Sequence, residues 1–233
     1  MAMATLAGNA RTWAHGATRR NVRAIGRGLG FAAVGGLTAL LLSNVLPYFG
    51  AGADDMPFLH EKGALAIDPV WRTVFDLHVA GGALCLVVAL PLFSRQLLRR
   101  HPGWHRALGW TYVLSVLVLV APTGLWLAPT AKGGFAGQSG FAVTGLYLFG
   151  TTALGLREVL RRDFVAHRAW MVRSYALAAS ALSFRVLFVA LEIARVPHAY
   201  VIGVWASFGL DLVVAELVIG RAVRRPQPSR SPS

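Results

Sequence analysis

The chain has 233 residues, of which 55% are hydrophobic and only 14% charged, against about a quarter charged in a typical soluble domain. With a mean hydropathy of +0.55, it carries more apolar surface than a water-soluble globule of this length can bury, which argues against a soluble enzyme, a disordered chain or a fibrous repeat. Lys and Arg number 23 against 10 Asp and Glu, a formal net charge of +13, but these residues lie between long apolar runs, the pattern of a membrane protein rather than a nucleic-acid binder.

Six runs reach the roughly 20 residues that a helix needs to cross hydrocarbon: Leu29–Phe49, Thr73–Phe93, Leu108–Ala128, Ser139–Leu160, Trp170–Ile193 and Ala199–Gly220. They are continuous rather than alternating, so helices are expected and a transmembrane β-barrel is not. The expected fold is an all-α integral membrane bundle of six transmembrane helices over residues 29–220. A basic tail (1–28) precedes it, and a Pro/Ser/Arg-rich tail (221–233), expected to be disordered, follows.

Lys and Arg in the connections set the orientation. The first tail carries Arg11, Arg19, Arg20, Arg23 and Arg27. The second connection carries Arg95, Arg99, Arg100 and Arg106, and the fourth Arg157, Arg161, Arg162 and Arg168. The last tail adds Arg221, Arg224, Arg225 and Arg230. Those seventeen face only Lys62, Arg72, Lys132 and Arg195 on the other side, beside the acidic Asp54, Asp55, Glu61 and Asp68. Both termini are therefore expected in the cytoplasm of a bacterial cell (N-in, C-in), with the basic tails on anionic lipid head groups of the inner membrane. The basic start, apolar run and Ala51-Gly52-Ala53 also resemble a secretory signal. The first run is longer than the ~7–15 residues of a signal's apolar core, which favours an uncleaved anchor.

An internal repeat follows. Arg95-Gln-Leu-Leu-Arg99-Arg100, four residues and His105-Arg106-Ala107 return sixty-two positions later as Arg157-Glu-Val-Leu-Arg161-Arg162, four residues and His167-Arg168-Ala169. Convergence of positive-inside connections explains the arginines but poorly explains the histidines. Duplication of a helix pair, related by an axis along the membrane normal, explains both and sets His105 and His167 at equal depth.

His78, the His105-Arg-Ala-Leu-Gly-Trp-Thr-Tyr112 stretch, His167-Arg-Ala-Trp-Met-Val-Arg-Ser-Tyr175, Gly133-Gly134 and Arg185 together resemble DUF2306, a prokaryotic family of predicted multi-pass membrane proteins. The likeness runs from about residue 70 to 218 and implies an integral membrane protein without implying an activity.

Ionisable residues inside spans are functional candidates because placing them there is costly. Arg185 costs about 2.5–3.5 kcal/mol at mid-helix, while each Leu, Ile, Val or Phe returns about 0.3–0.6 kcal/mol. The fifth run holds ten of these, so insertion is marginal alone and a neighbouring partner is expected. Asp211 is the obvious one, with Asp76, Glu192 and Glu216 also available; the pair would be either a charge site for a ligand or a structural tie. In the second run His78, Gly81, Gly82 and Cys85 share a helical face, suited to close helix packing or to a flat ligand. Cys85 is the single cysteine, which leaves no disulfide framework and no cysteine metal cluster.

His105 and His167 could supply two axial ligands to a b-type haem, with His78 a further candidate, or they could serve lipid phosphate or helix-start hydrogen bonds. No local spacing supports a zinc site, and no phosphate loop, nucleophile elbow or His-Glu-x-x-His motif is present. Trp104, Trp110, Trp126, Trp170, Tyr112 and Tyr147 are expected mostly as interfacial anchors, and Gly133, Gly134 and Gly137 as a turn. Three functions remain open: a haem- or quinone-linked redox membrane protein using His105 and His167, a small-molecule transporter or binder with an intramembrane charge site at Arg185 and Asp211, and a non-catalytic structural membrane protein. No catalytic residue stands out.

Overall fold

The computed structural model describes residues 26, 28–30, 32–50 and 52–223. Most of both tails, and the expectations placed on them, lie outside the described residues; residues 221–223, expected to be disordered, are instead the helical end of the last span. Every regular element among the described residues is helical, and five helices, or six counting one bent pair as a single span, are long and apolar enough to cross a membrane. The chain forms two compact units, residues 1–41 and 42–233. The first span, α1 (Gly28–Phe49), begins in the first unit, where Thr38 donates its hydroxyl hydrogen bond to the Val34 carbonyl of the preceding turn.

In the second unit, two short helices fill what the hydropathy pattern leaves as a connection: α2 (Pro57–Lys62) and α3 (Ala64–Ile67). They are joined by Gly63 at φ +54°, a left-handed position that favours glycine. Buried Leu59 packs with Trp71 and Phe75, and the Phe75 ring stacks on those of Trp71 and Phe58 at 5.2 and 5.4 Å. Lys62 donates to the Thr130 carbonyl, and partial burial pushes its ammonium below the usual lysine range.

The second span is α4 (Pro69–Leu92). It starts four residues before the apolar run because Asp68 caps the Trp71 amide at 2.8 Å and Pro69 occupies the first turn. The short helix α5 (Arg95–Arg100) leads into α6 (Pro102–Leu114). The third span then widens into a π-helical segment, Ser115–Val120, in which the Ala121 amide bonds to the Val116 carbonyl. Pro122, which has no amide hydrogen to give, opens the next part, α7 (Ala121–Leu127). The fourth span, α8 (Gly134–Leu160), follows the expected turn at Gly133 and Gly134, both at positive φ. Gly137, expected in that turn, lies instead one turn inside α8.

The fifth span departs most from expectation. It is not one straight helix but α9 (Phe164–Ala178) and α10 (Ser180–Ile193), bent by 41°. Neither Pro nor Gly marks the break. Its two halves follow different neighbours: α9 lies against α8, α4 and the last helix, α11 (Ala199–Val223), whereas α10 lies almost wholly along α11. The second span, α4, packs on α6, the π segment, α7 and α9, and makes no extended contact with α10.

Glycines let the helices meet closely. A Cβ on Gly137 would lie 2.0 Å from the Lys132 carbonyl oxygen, and one on Gly140 2.6 Å from a Val204 methyl, whereas Gly150 has open space. Gly137→Val should therefore lower the unfolding free energy by about 1–3 kcal/mol. Gly150→Ala should be neutral or stabilise by up to about 1 kcal/mol. Thermal unfolding of both variants in detergent checks the contrast.

Candidate functional site

The interior of the second unit holds a chain of hydroxyls across three spans. Tyr112 (α6), Ser174 (α9) and Thr152 (α8) are all buried. The Ser174 oxygen lies 2.8 Å from the Tyr112 hydroxyl and 2.6 Å from that of Thr152. Thr152 gives its single hydrogen to the Leu148 carbonyl at 2.7 Å. It must then accept from Ser174, and Ser174 in turn accepts from Tyr112. All three donors are thus committed. Tyr112, expected as an interfacial anchor, is corrected by this arrangement: it is 1% exposed and sits inside the bundle. Cys85 is also buried and turned to the Gly82 carbonyl at 3.2 Å, a packing position.

The structure places the three candidate histidines in two locations. His78 stands ten residues into α4 and its Nδ1 lies 3.0 Å from the Val120 carbonyl and 3.1 Å from the Thr123 hydroxyl. The π segment thus ends on the carbonyl that orients this imidazole. A Cβ on Gly124 would come within 2.9 Å of the ring, so glycine makes room for it. Gly81 approaches Leu119 and Val120 closely, but Gly82 meets nothing within 4 Å, so the small face of α4 is used at only part of its length.

His105 and His167 lie at the other, arginine-rich end, within helices rather than before them. Caps again explain this: α6 opens on Pro102, and Asp163 accepts from the Val165 and Ala166 amides at 3.1 and 2.9 Å. His167 Nδ1 lies 2.7 Å from the Gly155 carbonyl, which makes it the protonated nitrogen and leaves Nε2 bare. His105 Nδ1 and the Tyr175 hydroxyl are buried with no hydrogen-bond partner. Among the described residues, no group of three or more His, Cys, Asp or Glu is placed to hold a metal ion.

The carboxylates and arginines pair differently from the expected arrangement. Arg173 makes a two-point contact with Glu216 at 2.6 and 3.1 Å and lies over the Trp170 ring. Arg72 pairs with Asp76 at 3.2 Å, one turn along the same helix. Buried Asp211 accepts from Ser183 at 2.7 Å. Arg185 is left over. Among the described residues no ion pair joins it to Asp211 or to any other carboxylate. Its guanidinium instead donates to the Ala181 carbonyl at 2.7 Å, folded back one turn toward the start of α10, and is partly open at the surface of the unit. It lies within electrostatic range of the phenols of Tyr48 and Tyr200. Tyr48 packs edge-on against Phe75 of α4 at 5.5 Å, and Tyr200 against Phe184 and Phe188 of α10 at 5.3 and 5.7 Å. Sequence reasoning singled out neither phenol.

Residues 75–219 match the family model described as predicted membrane protein (DUF2306). The chain belongs to the DUF2306 family. No curated protein and no solved structure matches it. The matched region of this DUF2306 chain takes in the three candidate histidines His78, His105 and His167, Arg185, Asp211 and the buried hydroxyl chain, and leaves the first span outside.

Removing the head of the hydroxyl chain isolates its contribution. Tyr112→Phe should cost about 1 kcal/mol, within the range of single interhelical hydrogen bonds in membranes. Thr111→Val, whose hydroxyl only bonds back to its own helix at Ala107, should change nothing measurable. Unfolding of both variants in the same detergent makes the comparison.

Proposed function

We propose that this multi-pass membrane protein binds an amphipathic small molecule with an anionic carboxylate or phosphate head, and that Arg185 holds the head. The observation that carries the reading is a guanidinium inside an apolar span with, among the described residues, no carboxylate on it. Hydrocarbon supplies neither counter-charge nor hydrogen bonds, and a charged residue within a span marks a ligand or ion site by default. Asp76, Asp211 and Glu216 are engaged elsewhere. The guanidinium folds toward the span's middle rather than toward its nearer end, so it does not escape to the interface.

The bend at Ala179 supports the same reading. α10 leaves α4 where α9 does not, and the rings of Phe184, Phe188 and Tyr200 on and beside α10 suit an apolar tail beside a charged head. Broken spans of this kind build substrate sites in secondary transporters, so carriage of the bound molecule across the bilayer belongs to the same reading. The arginine bias supports an orientation with both termini in the cytoplasm of a bacterial cell and basic tails facing anionic lipid of the inner membrane.

The test uses the full chain purified in a neutral detergent, with oleate and dioleoyl phosphatidate as anionic probes and oleyl alcohol as the uncharged control. A probe near a hundred times its Kd should raise the unfolding temperature by on the order of 5 °C, oleyl alcohol should not, and Arg185→Gln should abolish the shift. A shift with oleate alone assigns a free acid, and one with phosphatidate a lipid head group. Equal shifts with oleyl alcohol, shifts that survive in Arg185→Gln, or no shift with either anion would overturn the proposal.

A further inference from the structure

His105 and His167 are sixty-two positions apart, and so are Tyr112 and Ser174, whose hydroxyls meet in the interior at 2.8 Å. Seven residues separate each histidine from its member of that contact. In a helix of about 3.6 residues per turn this is two turns, returning to nearly the same face. α6 and α9 open the third and fifth spans and so run in the same direction. Two turns back from the Tyr112–Ser174 contact, the helical register brings both imidazoles to the sides of the two helices that carry that contact.

Their ring nitrogens are prepared differently. The Gly155 carbonyl holds His167 Nδ1 at 2.7 Å and leaves Nε2 free, the carbonyl-backed arrangement of ligating histidines. His105 Nδ1 is buried with no partner, and so is the Tyr175 hydroxyl, one residue beyond Ser174. Native interiors keep few such unanswered atoms, and one of them belongs to the His105 imidazole itself.

We propose that His105 and His167 together supply the two axial ligands of a haem iron at the arginine-rich end of the bundle. The count of donors decides between a haem and a bare cation. A protein-bound zinc ion takes three or four side chains, and the described residues offer no group of three. A haem brings its own four nitrogens and asks only one or two from the protein. Its ring is apolar, as a ligand among membrane helices must be, and Arg106 and Arg168, exposed beside each histidine, suit propionate carboxylates. His78 takes no part: it lies fourteen residues before the end of α4, about 21 Å along the helix from that end. The site is independent of Arg185, which lies beyond the bend in α10.

The full chain, expressed with added 5-aminolaevulinate and purified in neutral detergent, should show a Soret band and a reduced-minus-oxidised difference spectrum. Hemin added to haem-free protein should restore both and saturate at one per chain. His105→Ala and His167→Ala should each lose most of the Soret absorbance, and His78→Ala should keep it. His105→Met, which restores a ligand of another kind, should retain haem with a shifted band, separating lost ligation from lost folding. Overturning results are absence of the band with no saturable hemin uptake, uptake that rises without saturation (adventitious haem only), or a band that survives both alanine variants.

Discussion

Hydrocarbon offers a polar group nothing to bond to, so each one inside a span must be answered by the protein or by something the protein binds. Most are answered locally. Thr73, Thr144 and Thr151 return their hydroxyls to carbonyls one turn back on their own helices. Others tie spans together: Ser115 donates to Gly81 across α4 and the third span, Tyr112, Ser174 and Thr152 link the third, fifth and fourth, and Ser183–Asp211 and Arg173–Glu216 fasten the fifth to the sixth. Among the described residues the remainder includes a guanidinium without a carboxylate at Arg185, and two buried atoms without partners at His105 and Tyr175. The two proposals arise from that remainder.

The bend between α9 and α10 gives the remainder its geometry. With α9 against α8 and α4, the Tyr112–Ser174 contact fixes the facing sides of α6 and α9 and so the placement of the two imidazoles. With α10 along α11, Arg185 stands clear of α4. A straight fifth span would have carried Arg185 along the same neighbours as Ser174. One 41° break therefore separates the arginine-rich end, where histidines gather, from the half of the fifth span that holds the solitary guanidinium.

Much of this was legible in the chain, for a physical reason: transfer to lipid is scored by long apolar runs, so hydropathy found the spans, which number five, or six with the bent pair taken as one. It could not find where the helices begin, because Asp68-Pro69, Pro102 and Asp163 extend them with caps and first-turn prolines that carry no hydropathy signal. His105 and His167 were recognisable from their repeated context, but not the commitment of His167 to Gly155, which depends on α8 and α9 packing closely. The Arg185–Asp211 pair failed because complementary charge in neighbouring spans says nothing of rotamer or depth: Ser183 reached the carboxylate first. Tyr112 was misread because aromatic residues near span ends usually anchor at the interface, and only the register of α6 against α9 turns this one inward. The π segment and the break at Ala179 leave no compositional mark.

Whether Arg185 has a counter-charge within the protein is open to a double-mutant cycle. Arg185→Met, Asp211→Asn and the double variant would be compared by unfolding free energy in one detergent without added amphiphile. The account predicts additivity to within about 0.5 kcal/mol, as for residues that share no contact. A coupling energy above about 1 kcal/mol would show the two charges to be partners and would contradict it.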